Sequence, residues 1–453
     1  MLHPRVRVRV RVRVINVARA SHFVPADFLS AEAMGVEMPR RCASCKKCKE
    51  CQFRTSMLTF KENAEYEAIL DNLSYDPEDK KWTAAYPFAI DPQILQDNKF
   101  QAVACMKSQE KRLVKQKRME EFNKVFQETV DRGVFKKLTS EEMEEWKGPV
   151  NYISMVEAFK QGPQATTPIR ICMNSSMKQP PPTSKSLNDL LMKGPPALAD
   201  LFAVSLGMRE YRYALIKDLS KFYNCVLADE TAQHVRRIVW RFGSTEKAPD
   251  VYVTTTVNFG DKPAGCIAIA AVRETAAKFG AGKEEAVWFL QNRTYVDDCT
   301  AGSNSKEELL VISEDLEKIV QEGGFKFKDT VMTGDPLKDN EKVKVLGMLW
   351  DTAKDTFAID VKINHGGKKK GAKLLPDMDL EEEAVENYLP VDISKRIIWR
   401  VVQSQYDPLG LISPYTIQLK IVMRDLCSEE GKIEWDQPVP VHIADKTEKH
   451  WLA

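Results

Sequence analysis

Hydrophobic and polar positions keep different periods in different parts of the chain. Residues 1–40 hold no sustained period, and the stretch that runs on to about Trp146 is charged and reads as helix-rich. Pro180-Pro181-Pro182-Thr183-Ser184 and Gly194-Pro195-Pro196 mark loops. Beyond them the pattern becomes mixed. Tyr213 to Asp218 predicts a short strand, and Arg237 to Phe242 with Val251 to Phe259 predict a strand pair joined through a Gly and Pro loop. Pro263 to Phe279 predicts a helix rich in small residues. Ser305-Lys306-Glu307-Glu308 predicts a capping box opening a helix with Leu309, Ile312, Leu316 and Ile319 on one face, ended by Gly323-Gly324. Phe325 to Lys328 and Val343 to Asp351 return to strand-like alternation. Strands alternating with helices describe an α/β (α+β) sheet domain.

Composition narrows the class. The 453 residues suffice for about two to four domains. Hydrophobic residues make up 43% and charged residues 29%, with no apolar run long enough to cross a bilayer, so a soluble protein with no membrane partner is expected. The 66 basic and 65 acidic residues nearly cancel, which leaves only local clusters to speak for nucleic acid. One such cluster is Lys107, Lys111, Arg112, Lys115, Lys117 and Arg118, either a phosphate track or, with acidic residues following, a solvated helix face. Six of the ten cysteines stand singly and four lie within ten residues, unlike a secreted disulfide framework. No secretory signal opens the chain, because Arg and Val alternate from Arg5 to Val14. That repeat reads as an amphipathic strand, a basic arm or translated simple-sequence DNA. A reducing, cytoplasmic location is expected.

The most informative run for chemistry is Thr294-Tyr295-Val296-Asp297-Asp298-Cys299-Thr300. Strand formers on both sides propose a β-hairpin, with the Asp-Asp step as its tight turn. Two carboxylates at ~4 Å in a partly buried site repel by roughly 4 kcal/mol, so the pair protonates, faces water or binds a cation. A cation needs a further ligand from another strand. Asp218, closing Ala214-Leu215-Ile216-Lys217, is the best candidate, and three carboxylates can hold two Mg²⁺ ions for nucleotidyl transfer.

With these residues in order, the chain resembles the reverse transcriptase of BEL/Pao-type long-terminal-repeat retrotransposon polyproteins. Lys217-Asp218-Leu219-Ser220-Lys221-Phe222-Tyr223 resembles the first catalytic block, Asn258-Phe259-Gly260-Asp261-Lys262-Pro263 the second and Tyr295 to Asp298 the third. Gly323 to Lys328 and Val345 to Trp350 fall where the fourth block and the primer grip would be. Ser186-Leu187-Asn188-Asp189-Leu190-Leu191 and Tyr406-Asp407-Pro408-Leu409-Gly410-Leu411-Ile412-Ser413-Pro414 are similar to BEL/Pao sequences specifically.

The resemblance implies a right-hand polymerase with fingers, palm and thumb, preceded by a short cysteine-rich module. It divides the chain into a low-complexity or linker remnant (1–40), the cysteine module (41–54), a connector (55–99), mainly fingers (100–250, with the first palm block at 213–223), palm (251–352) and thumb/connection (353–453). It implies that Asp218, Asp297 and Asp298 hold two Mg²⁺ ions, that Tyr223 sits under the incoming sugar and that Arg170 contacts the triphosphate. Gly260 would lie at the substrate. The alternative for Tyr223 is a core aromatic, and for Lys328, a possible proton donor to pyrophosphate, an exposed strand lysine. The family usually has Asp four residues after the arginine, where this chain has Asn174, and an apolar residue where it has Lys217. Partners would be an RNA or DNA template-primer and deoxynucleoside triphosphates, in the cytoplasm or within virus-like particles; oligomeric state is not implied.

Cys42, Cys45, Cys48 and Cys51 recur every three residues. Zinc, iron-sulfur ligation and no metal are all open for so dense a cluster. The six histidines show no metal or triad spacing, and no Asp-Thr-Gly or Asp-Ser-Gly marks an aspartic protease. The chain ends soon after the expected thumb, which leads to the expectation of no ribonuclease H or integrase domain. A decayed or domesticated element that binds RNA without polymerising, and an unrelated metal-thiolate protein, are the competing readings.

Overall fold

The alternating run Tyr213–Leu219 (β1) becomes a central strand of the main sheet in a computed structural model of the chain. The structure describes residues 60–159, 169–337, 342–359, 392–428 and 433–452, with the short strands Val6–Arg7, Lys362–Ile363 and Met378–Asp379. The cysteine module at Cys42, Cys45, Cys48 and Cys51 lies outside the described residues. The other strands of the main sheet are Thr294–Tyr295 (β2), Asp298–Ser303 (β3) and Phe327–Met332 (β4), in the order β2-β3-β1-β4 with every neighbour antiparallel.

Period-two alternation gives β1 two different faces. Leu215 and Leu219 join the core formed by helices Ala264–Phe279 (α1), Glu284–Asn292 (α2) and Lys306–Glu322 (α3). The alanines of α1 let the helix approach the sheet closely, and Ala268, Ala270 and Ala271 are fully buried. Helix α3 buries Leu309, Ile312, Leu316 and Ile319, as its spacing predicts. Ala214 and Ile216 face the other way, against Val204, Met208, Met348, Trp350 and Phe357. Lys217 points to the helix side and is 1% exposed; its ammonium donates to Glu317 Oε1 and Thr330 Oγ1, both at 2.7 Å. The lysine in place of an apolar residue is therefore buried and paired.

A second core serves the preceding segment. Phe122 and Phe126, one helical turn apart on Met119–Asp131, meet Phe135, Trp240 and Tyr252 of a three-stranded sheet, with ring centroids 4.8–5.1 Å apart in the pairs Phe122–Trp240, Phe126–Phe135 and Phe126–Tyr252. The expected strand pair is present but shorter, as Ile238–Trp240 and Asp250–Thr254. On helix Lys99–Lys115, Lys107, Lys111 and Lys115 are exposed while Arg112 pairs with Glu157 at 2.9 Å, the arrangement of a solvated face.

The run Val343 to Asp351 forms a hairpin, Val343–Val345 with Met348–Asp351, turned by Leu346 and Gly347 at φ +47° and +86°. A Cβ on Gly347 would lie 2.1 Å from the Tyr406 ring, so the glycine lets the 406–414 block pack on this hairpin. Asp407 accepts from the backbone N–H of Leu411 and Ile412 at 2.9 and 2.7 Å, shaping the entry to helix Ser413–Ser428. Helices Lys395–Ser404 and Val441–Leu452 complete a small helical core around Ile398, Val422 and Leu426. No helix among the described residues is long and apolar enough to cross a membrane.

Candidate active site

Tyr295 pairs with Asp298, which leaves Val296 and Asp297 as the two turn residues. The tight turn is therefore one residue earlier than the Asp-Asp step expected from sequence. Val296 stands at φ +58°, a left-handed conformation ordinarily taken by glycine at the first position of a type II′ turn. A β-branched residue there is strained, and such strain concentrates at functional sites. Its consequence is geometric: Asp297 occupies the hairpin tip and Asp298 starts β3. The register then sets Asp298 opposite Asp218, and Leu219 N–H donates to the Asp297 carbonyl at 2.8 Å, hooking the tip to the end of β1. Directly opposed residues lie about 4.5–5.5 Å apart at Cβ, so sheet pairing alone makes these acids neighbours.

Their charges interact accordingly. Burial, then the charges of Asp297 and Asp218, push the Asp298 carboxyl up to about 7. Asp297 is also raised, by burial and Asp218, against the opposing pull of Lys328 and Arg170. Asp218 is tied through Oδ1 to Lys328 Nζ at 2.7 Å. Lys328 reaches it from a bulged stretch of β4, between the pairs Phe327–Leu219 and Thr330–Lys217. Among the described residues no group of three or more acidic, His or Cys side chains is gathered so as to hold a metal ion. Asp218, Asp297 and Asp298, expected to hold two Mg²⁺ ions, stand here as three neighbouring carboxylates, Asp218 paired with Lys328. The donor set fits a hard divalent cation: all its ligands are oxygens, and its excess negative charge already attracts an ammonium.

The raised carboxyl has a stability consequence. The folded state binds the Asp298 proton more tightly than the unfolded chain, so this contribution is fully present below about pH 4 and is lost as pH rises to about 7. The shift corresponds to as much as about 4 kcal/mol. Asp298→Asn is expected to melt above wild type at pH 8 in chelator, with the gain shrinking toward pH 4; thermal unfolding at several pH values checks this, and a variant less stable at pH 8 would contradict it.

Tyr223 and Arg170 lie close enough to Asp297 to interact with its charge, and Gly260 lies behind the Arg170 strand. Tyr223, half-buried in the one-turn helix Phe222–Cys225, has its ring centroid 4.6 Å from that of Phe259, and its hydroxyl is raised by burial and by the charge of Asp297. Arg170 is exposed on strand Ile169–Asn174, with its guanidinium carbon 6.0 Å from the Phe259 centroid. Asn174 donates instead to Ser154 Oγ at 3.3 Å. Gly260 has φ +110°, and a Cβ there would lie 1.9 Å from the Met173 carbonyl oxygen. Its place is close backbone contact with the Arg170 strand. Sequence reasoning gave no role to Phe259, although an aromatic directly before the glycine of the second block was its available signal. The ion pair of Lys328 with Asp218 was also missed; its signal lay only in the bulge, which alternation does not show.

Residues 394–451 match the family model described as a Pao retrotransposon-like RNaseH-like domain. In this chain the segment contains the helices Lys395–Ser404, Ser413–Ser428 and Val441–Leu452. The match corrects the expectation that the chain has no room for a ribonuclease H-type segment. No curated protein matches the chain. Among solved structures it is similar to the foamy viral protease-reverse transcriptase dRH in complex with double-stranded DNA, at 12% identity and a TM-score of 0.46. The similarity covers 86% of this chain, which spans 59% of the length of that one. The similarity to the Pao retrotransposon-like family is one of that segment, 58 of the 453 residues.

Proposed function

We propose that this chain is the reverse transcriptase region of a retrotransposon Pol polyprotein, an RNA-directed DNA polymerase. The observation that carries the reading is the cross-strand pairing of Asp218 with Asp298, which brings acids 80 positions apart to the tip that bears Asp297. In this reading residues 100–250 are mainly fingers, 251–352 palm and 353–453 thumb and connection, the last containing the segment 394–451 that matches the RNaseH-like family model. The reaction is attack of a primer 3′-hydroxyl on the α-phosphate of a deoxynucleoside triphosphate, with pyrophosphate leaving, on an RNA or DNA template in the cytoplasm or a virus-like particle.

Asp218, Asp297 and Asp298 would hold Mg²⁺, which supplies activation of the hydroxyl and neutralisation of the phosphates. The protein's own groups orient the substrate. Arg170 offers a planar fork of donors to the triphosphate, suited to phosphate oxygens. Tyr223, braced by Phe259, would present its half-buried ring under the sugar and so disfavour a 2′-hydroxyl. Lys328 balances the charge of Asp218 before a cation does.

The engagement of Asp218 by Lys328 favours one other reading, a decayed element whose product binds RNA without polymerising. Mg²⁺-dependent incorporation of deoxynucleotides on a primed RNA template, set beside binding of the bare RNA, separates the two. Incorporation is expected; binding without it would favour the second reading.

A further inference from the structure

Behind the second block lies an ionic knot that the site described above does not use. Arg236 and Asp261 are paired at 2.8 Å with both side chains fully buried. Asp261 also accepts hydrogen bonds from Tyr86 on Oδ2 and from Ser175 on Oδ1. Arg236 also donates to the carbonyls of Ala232, Thr254 and Thr256, at 2.8–3.1 Å, and lies 4.7 Å from the Tyr86 ring centroid. Four separate stretches of chain therefore meet on one carboxylate.

Such a pair is a poor device for stability alone, because desolvating two ions offsets most of their attraction and apolar residues of similar volume would serve as well. What the knot supplies is direction. Ser175 directly follows the strand that carries Arg170, and Asp261 directly follows Gly260. Between them the backbones touch twice, through Met173 N–H donating to the Phe259 carbonyl at 3.0 Å and through Gly260 seated on the Met173 carbonyl. The Ser175–Asp261 hydrogen bond adds a side-chain latch beside these contacts.

We propose that the buried Arg236–Asp261 pair, acting through Ser175, is a positioning unit that fixes where Arg170 stands relative to the carboxylate hairpin. Its catalytic consequence rests on the polymerase reading; its structural consequence does not. Ser175→Ala removes the latch and adds no atoms. Tyr86→Phe removes a hydrogen bond from the same carboxylate without touching the Arg170 strand.

The test measures backbone amide exchange and steady-state extension kinetics on both variants and wild type. Ser175→Ala is expected to exchange the amides of Ile169–Met173 about tenfold faster while those of Ala214–Lys217 stay unchanged, the scale of one lost charge-assisted hydrogen bond. It should raise the KM for deoxynucleotide about tenfold with kcat within about twofold, the pattern of a lost ground-state contact. In an Arg170→Ala background, Ser175→Ala should change KM by less than about twofold, because the two residues act as one unit. Tyr86→Phe should leave both the Ile169–Met173 amides and KM as in wild type. Equal behaviour of Ser175→Ala and Tyr86→Phe, or unaltered exchange at Ile169–Met173 in Ser175→Ala, would overturn the proposal. Should wild type add no nucleotide, the polymerase reading fails by itself, and the exchange data alone decide the positioning role.

Discussion

Asp297→Asn is expected to lower primer extension by on the order of 10³-fold or more, because several kcal/mol of charge stabilisation are lost and each 1.4 kcal/mol is a factor of ten. The fold should survive. Asp297 stands at a turn tip, where its backbone carbonyl, which the substitution keeps, takes the Leu219 N–H. Its side chain is held above the usual carboxylate range by burial and by Asp218, so replacing it with a neutral amide removes a repulsion. Extension assays at saturating nucleotide, with circular dichroism of the same preparation, make the check. A folded variant with near wild-type extension would remove Asp297 from the site.

The second large effect is on stability. Gly260→Ala should cost about 3 kcal/mol or more, since it combines a backbone angle that L-residues rarely take with a contact that no side-chain rotation relieves. The obstacle is the Met173 carbonyl oxygen, 1.9 Å from the new Cβ, and it belongs to a paired strand. Urea unfolding of the variant against wild type measures the loss. A change within about 0.5 kcal/mol, the scale of an ordinary surface substitution, would show that the two backbones are not in close contact.

Much of the site was legible in the sequence because it depends on local pattern. The alternation of Tyr213 to Asp218 fixed which residues share a face, and strand formers around Asp297 and Asp298 announced the hairpin. The position of the turn was not legible. Propensity favours an Asp-Asp turn over a valine at φ +58°, and pairing with β1 overrides that preference. The capping box at Ser305 was half right for a similar reason. Ser305 caps Glu308 N–H as predicted, but the Glu308 carboxylate is taken by the Ser303 hydroxyl at 2.7 Å. Lys217 read as a misfit because its partners Glu317 and Thr330 lie about a hundred positions away. The Arg236–Asp261 pair left no trace either, since nothing in spacing joins a loop arginine to the residue after a glycine.

The segment 394–451 teaches the same lesson at larger scale. Its periodicity gives amphipathic helices, which fit a thumb as well as any other helical unit, and only comparison with a family model attaches it to a ribonuclease H-like domain. Helix pattern specifies a buried face and not a partner.

The measurement that tests the central claim most directly is single-nucleotide extension of a DNA primer on an RNA template by the unmodified chain, with Mg²⁺ titrated from chelator upward. Addition of one deoxynucleotide that rises with Mg²⁺, vanishes in chelator and is poor with the matching ribonucleotide is the predicted result. A chain that binds the primed template yet adds no nucleotide at any Mg²⁺ concentration would contradict it.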